Sequence, residues 1–203
     1  MAARNDFDAL NERFSNVSIS NDDAAGEPSN PSQSRTPVDE YFYQHASRPG
    51  SRFPYNGDAR LNIRKTFNTL ARAERWNERK RMEEKERFFE AIDAEFTTRF
   101  GDGTSLQTWQ RLVAMFDPEG PLPPSITRCK KELSKYYINI YDFLNYCRRM
   151  GIDEQAGVQG DLRSIDKGSL QILRAYSKRN RLLYPLDFAR GTVLKAFLVH
   201  MFG

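Results

Sequence analysis

The chain of 203 residues is 39% hydrophobic and 29% charged, enough for one domain and a tail but polar for a single packed globule. It has no run of about 18 apolar residues, which excludes a membrane-spanning helix. Its net charge of +4 conceals an asymmetry: residues 1–58 hold five Arg, no Lys and nine Asp or Glu, whereas residues 59–203 hold 26 basic and 18 acidic residues.

Residues 1–57 show no sustained hydrophobic period and are rich in Ser, Asn, Asp, Pro and Gly. The opening Met1-Ala2-Ala3-Arg4 leads into polar sequence rather than the apolar core of a secretory signal. An intracellular protein, cytoplasmic or nuclear, is therefore expected. Residues 20–37, SNDDAAGEPSNPSQSRTP, carry too little apolar surface to offset the entropy of ordering them. The whole acidic arm, 1–57, is expected to be disordered. Two islands interrupt it. Phe7, Leu10 and Phe14 stand at i, i+3 and i+7, a latent amphipathic helix, and Tyr41, Phe42 and Tyr43 form an aromatic knot beside Asp39 and Glu40. Such islands either fold onto a partner or dock on their own domain. Thr36, followed by Pro37, is a candidate for proline-directed phosphorylation.

A helical domain is expected over 58–203. It opens with a long lead-in helix, 58–100, capped by Asp58. Ile63, Phe67, Leu70 and Ala71 share a face at its start, and Phe88, Phe89, Ile92 and Phe96 share one at its end. Between them NERKRMEEKER, residues 77–87, reads as a solvated stretch. Glu78 with Arg81 and Glu83 with Arg87 have the spacing of favourable helical pairs. No heptad runs through it, so a coiled coil is not expected.

The densest apolar stretch lies in a central three-helix unit, 104–150. Leu106, Trp109, Leu112, Val113 and Phe116 follow a helical stripe behind Thr104 or Ser105. Asp117-Pro118, Gly120, Pro121, Pro123 and Pro124 then break regular structure. Ser125 caps a second helix with Ile126, Cys129 and Leu133 on one side and Arg128, Lys131 and Lys135 on another. Tyr137, Ile138 and Ile140 suggest a short extended hinge. A third helix carries Tyr141 and Leu144 and ends at Gly151, a natural C-cap. The core is expected to include Trp109, Ile126, Leu133, Ile140 and Leu144. Two C-terminal helices complete the domain over 169–202. The first is capped by Ser169, followed by the basic turn SKRNR, and the second carries Phe188, Val193, Leu194, Phe197, Leu198 and Met201. The fold class is all-α, a small bundle of about five helices.

A resemblance runs through this region. Phe96 and Phe100-Gly101, then L-x-x-W-Q-x-L from Leu106, S-I-T-x-C-K-K-x-L from Ser125 and N-I-x-D from Asn139 resemble a helical domain of uncharacterised proteins of filamentous fungi. Leu170, Arg174-Ala175-Tyr176, Tyr184-Pro185 and Phe188-Ala189 extend the pattern, which covers roughly residues 88–203 and departs from it over 153–160. The resemblance implies a fungal source and the limits of a domain. It implies no chemistry.

The chain contains no phosphate-loop, dinucleotide-binding, serine-hydrolase or zinc-protease motif. Cys129 and Cys147 are expected to be reduced and buried. His45 and His200 lie far apart and form no metal-ligand spacing. Asp142, Asp166 and Asp187 could meet in space, but nothing in their pattern singles them out. No catalytic residue, cofactor or metal site is therefore assigned. Two readings remain, with an enzyme of unrecognised type a minor third. The first is a non-enzymatic protein-interaction module of regulatory or adaptor kind, acting through a groove or through Phe7, Leu10, Phe14, Tyr41, Phe42 and Tyr43. The second is a nucleic-acid-binding module that uses a basic helix. Either would draw on Arg128, Lys130, Lys131 and Lys135, with Arg179 and Arg181 as a second patch. The turn before that helix, residues 117–124, is longer than helix-turn-helix units use. Oligomeric state is not legible.

Overall fold

The structure, a computed structural model, describes residues 35–152, 162–185, 187 and 193–195. Among these residues the chain is all-helical, without a strand. The helices are α1 (Pro37–Ala46), α2 (Ile63–Ala73), α3 (Glu78–Phe100), α4 (Leu106–Phe116), α5 (Ile126–Leu133), α6 (Ile140–Met150) and α7 (Leu170–Arg179), with a short 3-10 helix at Leu162–Ile165. About five helices were expected. The excess comes from three places, the arm, the lead-in helix and the 3-10 turn before α7.

Helix α1 forms inside the segment expected to be disordered. Thr36 is its N-cap, with the Asp39 N–H donating to the Thr36 hydroxyl at 3.3 Å. Pro37 fills the first turn, and Asp39 and Glu40 lie where the helix dipole favours negative charge. Val38, Tyr41, Phe42 and His45 are buried. Phe42 meets Tyr55 at 5.1 Å, Phe88 at 5.6 Å and Phe53 at 6.0 Å. The folded unit therefore begins at Arg35, not at residue 58. Five aromatic residues between 41 and 55 suffice to anchor it, and the polar composition averaged over the arm hides them. Tyr41 and Phe42 are thus core residues of their own domain, and Tyr43 is half-buried beneath the Arg35 guanidinium, 3.7 Å from its ring. Phe7, Leu10 and Phe14 lie outside the described residues.

The lead-in helix is two helices. Asn62, not Asp58, caps the first through the Lys65 N–H (3.0 Å), while Asp58 accepts from Arg60 N–H (2.9 Å) in the preceding turn. At the end of α2, Arg75 adopts a left-handed conformation, φ 50°. Its N–H donates to the Arg72 carbonyl (3.1 Å) and the Trp76 N–H to the Ala71 carbonyl (3.0 Å), a Schellman closure. Trp76 turns in against His45 (5.3 Å) and Phe67 (5.8 Å), and Asn77 caps α3 through Lys80 N–H at 2.8 Å. The partial burial of Trp76 against the core gives the break its reason, and no Gly or Pro marks it. The charged start of α3 is mostly exposed, but Glu84 is fully buried. Its ion pairs also differ from those expected: Lys80 pairs with Glu84 (2.9 Å), Arg87 with Glu84 (3.1 Å) and Arg79 with Glu83 (3.2 Å).

The central unit follows the sequence more closely. Trp109, Leu112, Phe116, Phe143 and Leu144 are fully buried, Leu133 and Ile140 nearly so, and the Trp109 indole N–H donates to the Gly103 carbonyl at 2.7 Å. Ile126 is the exception. At the exposed first turn of α5 it is only half-buried. Gly151 closes α6 at φ 63°, and Ser169 caps α7 through the Ile172 N–H at 3.3 Å. Cys129 and Cys147 are buried free thiols. Val193 and Leu194 are buried, but Phe188, Phe197, Leu198, His200 and Met201 of the expected last helix lie outside the described residues, as do residues 153–160.

One polar knot fastens α1 to this core. Arg148 on α6 reaches both oxygens of the buried Glu95 carboxylate at 3.0 Å and Asp39 at 2.6 Å. Arg99 adds 2.8 Å to Glu95 and 2.6 Å to the Ile152 carbonyl. The Thr36 hydroxyl lies 2.9 Å from Glu95 and 2.8 Å from Asp39, donating to one of them, and accepts from Arg148 at 3.0 Å.

Candidate binding clefts

The turn between α4 and α5 is too long for helix-turn-helix because it builds the wall of a cleft. Three prolines hold residues 121–124 extended. Gln110 on α4 donates to the Pro123 carbonyl at 2.9 Å, and the Cys129 thiol lies 3.8 Å from the same oxygen. The loop is so pinned across the start of α5. Beneath it opens a cleft of about 710 Å³ lined by Val113, Pro121, Leu122, Pro124 and Tyr136 together with the charged side chains of Asp117, Arg128, Lys131, Glu132 and Lys135. Leu122 is 55% exposed, an apolar side chain presented to solvent from a rigid loop. Tyr136 stacks on Phe116 at 4.6 Å, which fixes the far wall. Burial, with the Asp117 charge, pushes its phenol up from the ordinary value. Lys135 pairs with Glu132, and that hydrogen bond holds its ammonium above the usual lysine range. Three cations thus face two carboxylates around an apolar floor.

Each of the two basic patches singled out from sequence is divided in the structure. Arg128, Lys131 and Lys135 share this cleft. Lys130 points elsewhere on α5 and lies over the Trp109 ring at 4.9 Å. Arg179 is exposed at the end of α7. Arg181 lines a second cleft, about 300 Å³, with Arg64, Phe67 and Asn68 of α2, Glu78, Arg81, Met82, Lys85 and Phe88 of α3, and Tyr141 of α6. Arg64 reaches the Asn180 carbonyl, and Arg81 donates to Asn68 Oδ1 at 2.9 Å. Burial, and then the like charges of Arg181 and Arg81, depress the Arg64 pKa.

Arg81 and Lys85 were missed because residues 77–87 sum to near neutrality along the chain. On the helix the charges separate by face. Glu83 and Glu84 pair with Arg79, Lys80 and Arg87. Glu78, Arg81, Met82 and Lys85, at i, i+3, i+4 and i+7, form a different stripe. A face-by-face charge count would have found it.

A third polar group is buried rather than open. His45 Nε2 lies 3.2 Å from Glu84, and Tyr41 donates to the Glu84 carbonyl at 3.2 Å. Its burial fits it to hold α1 on α3 and not to meet a substrate. Among the described residues no cluster of three His, Cys, Asp or Glu could hold a metal ion, and no helix is long and apolar enough to cross a membrane. Comparison with known proteins finds no matching family model, curated protein or solved structure.

Proposed function

We propose that the protein is a non-enzymatic interaction module whose α4–α5 cleft receives an acidic segment of a partner protein, with one apolar side chain seated beside Leu122. The observation that carries this is the make-up of the cleft: an exposed leucine on a proline-braced floor, rimmed by Arg128, Lys131 and Lys135. Apolar anchors in a preformed pocket supply affinity, and rim charges supply orientation and encounter rate. Duplex nucleic acid is the weaker reading of the same residues. Its phosphates reward several uncompensated cations, whereas here Asp117 and Glu132 share the lining and Lys135 is paired with Glu132.

Fluorescence anisotropy with a labelled Asp/Glu-rich peptide bearing a single Leu tests the proposal. Removing that Leu should weaken binding roughly tenfold or more, since a fully buried leucine contributes about 1.5–3 kcal/mol. Leu122→Glu, and Arg128→Glu with Lys131→Glu, should each abolish binding without unfolding the chain, because all three side chains are exposed. If the peptide fails to bind while duplex DNA binds with an affinity that falls steeply with salt, the nucleic-acid reading replaces this one.

A further inference from the structure

Several basic side chains elsewhere on the molecule are paired with acids. Arg79, Lys80 and Arg87 have Glu83 and Glu84, Arg99 and Arg148 have Glu95, Lys135 has Glu132, and Lys167 has Asp142. The second cleft breaks this pattern. Arg64, Arg81, Lys85 and Arg181 line one small cavity, and none of the four is ion-paired with a described carboxylate. Arg64 and Arg81 spend hydrogen bonds on the neutral acceptors Asn180 O and Asn68 Oδ1. Glu78 is the one acid on the lining. Four like charges gathered around one counter-charge repel one another, and an anion that joins them relieves the repulsion.

The backbone adds an independent sign. Arg181 follows the last turn of α7 in the left-handed conformation, φ 53°. Its N–H donates to the Lys178 carbonyl (3.0 Å) and the Leu182 N–H to the Ser177 carbonyl (2.7 Å). This is a Schellman closure whose left-handed position glycine normally occupies, as Gly151 does after α6. Here an arginine stands there, and the Arg64 bond to the neighbouring Asn180 carbonyl ties that turn to α2. Strain kept at a residue that faces a cavity points to use of its side chain. Arg75 has the same conformation but lines a different cavity, with Arg52 and Glu74, and so serves as the control for a substitution at this backbone geometry.

We propose that the cleft between α2, α3 and the end of α7 binds a phosphate monoester, gripped by Arg64, Arg81, Lys85 and Arg181. A phosphomonoester carries nearly two charges and three acceptor oxygens. Guanidinium forks match that geometry, and a lysine adds a mobile point charge. The aromatic residues of the lining, Phe67, Phe88 and Tyr141, are almost wholly buried, so none offers a free face on which a nucleobase could stack. A cavity of about 300 Å³ suits a phosphate on a short stem. Two sources present the same dianionic phosphate group, a phosphorylated side chain of a protein and free inorganic phosphate, which lacks the ester stem. This site is independent of the α4–α5 cleft.

Calorimetric titration of the full chain with inorganic phosphate, a phosphoserine peptide, its unphosphorylated counterpart and a single-stranded oligonucleotide, all at matched ionic strength, tests the assignment. Saturable binding of a phosphomonoester, with the unphosphorylated peptide at least tenfold weaker, is expected. A phosphopeptide that binds more than tenfold tighter than inorganic phosphate assigns the source to a protein, and equal affinities assign it to free phosphate. Both results support the site. Lys85→Ala and Arg181→Gly should each weaken binding at least fivefold, whereas Arg75→Gly and Lys131→Ala should leave it unchanged. Arg181→Gly should melt no lower than the parent, which separates lost binding from lost folding. The proposal is overturned if no phosphomonoester saturates the chain, if Lys85→Ala and Arg181→Gly bind as the parent does, or if the oligonucleotide binds more tightly than every monoester.

Discussion

Arg75 shows what a single residue contributes when its backbone is out of keeping with its side chain. A left-handed conformation burdens an L residue by about 1–2 kcal/mol, and glycine escapes it at the expense of greater freedom in the unfolded chain. Arg75 makes no ion pair among the described residues, and φ is 50°. Arg75→Gly should therefore stabilise the fold by up to about 1 kcal/mol, seen as a higher urea midpoint with an unchanged slope. A lower midpoint would show that the guanidinium makes a compensating interaction. The same reasoning explains why the end of α2 was illegible in the sequence. A helix stop written with Arg in place of Gly has no local signature. Gly151 and Ser169 were legible because each cap is recognised from its own residue type.

At the scale of elements, α1 depends on groups that sequence proximity does not connect. Its docking joins Thr36 and Asp39 to Glu95, Arg99 and Arg148. No periodicity relates positions so far apart, so this knot could not be read from the chain, whereas the α4 and α6 stripes could. The candidate clefts divide in the same way. Arg128, Lys131 and Lys135 were found because i, i+3, i+7 spacing on one helix is visible. The Arg64–Arg181 pairing was not, because it arises only when the end of α7 returns to α2. Arg148→Met tests the knot. Arg148 is 4% exposed and Glu95 is fully buried. Removing one partner from such a group destabilises by about 3–5 kcal/mol. Arg99 keeps Glu95 partly paired, which places the expectation near the lower end, measured by urea unfolding. A loss below about 1 kcal/mol, the level of exposed ion pairs, would mean that α1 is held by its aromatic residues alone.

For the whole molecule, the buried ionisable groups predict where acid acts. Burial, then the Arg48 charge, lowers the His45 pKa from its ordinary value of 6.5, with Glu84 opposing. The unfolded chain thus takes up this proton more readily than the folded one, and stability falls as pH drops below about 6.5. Burial alone would raise Asp39 and Glu84. Hydrogen bonds and charges from Arg148 and Tyr55 on Asp39, and from Lys80 and His45 on Glu84, leave both below their ordinary 3.8 and 4.5. Their contribution is complete above those values and is lost as pH falls through the lowered ones. Melting temperature should decline in two stages, and His45→Asn should flatten the first. An unaltered profile in that variant would assign the first stage elsewhere. The polar knot also has a consequence in time. Thr36 and Arg148 are 112 positions apart, and a ribosome adds about 5–20 residues per second. The N-terminal end of α1 is therefore finished roughly 6–22 s before its arginine exists. Through that interval the Thr36-Pro37 pair is open to modifying enzymes, and once Arg148 arrives the hydroxyl is closed in between two carboxylates. A phosphate attached during synthesis would face Glu95 and Asp39, and their charges would oppose the seating of α1.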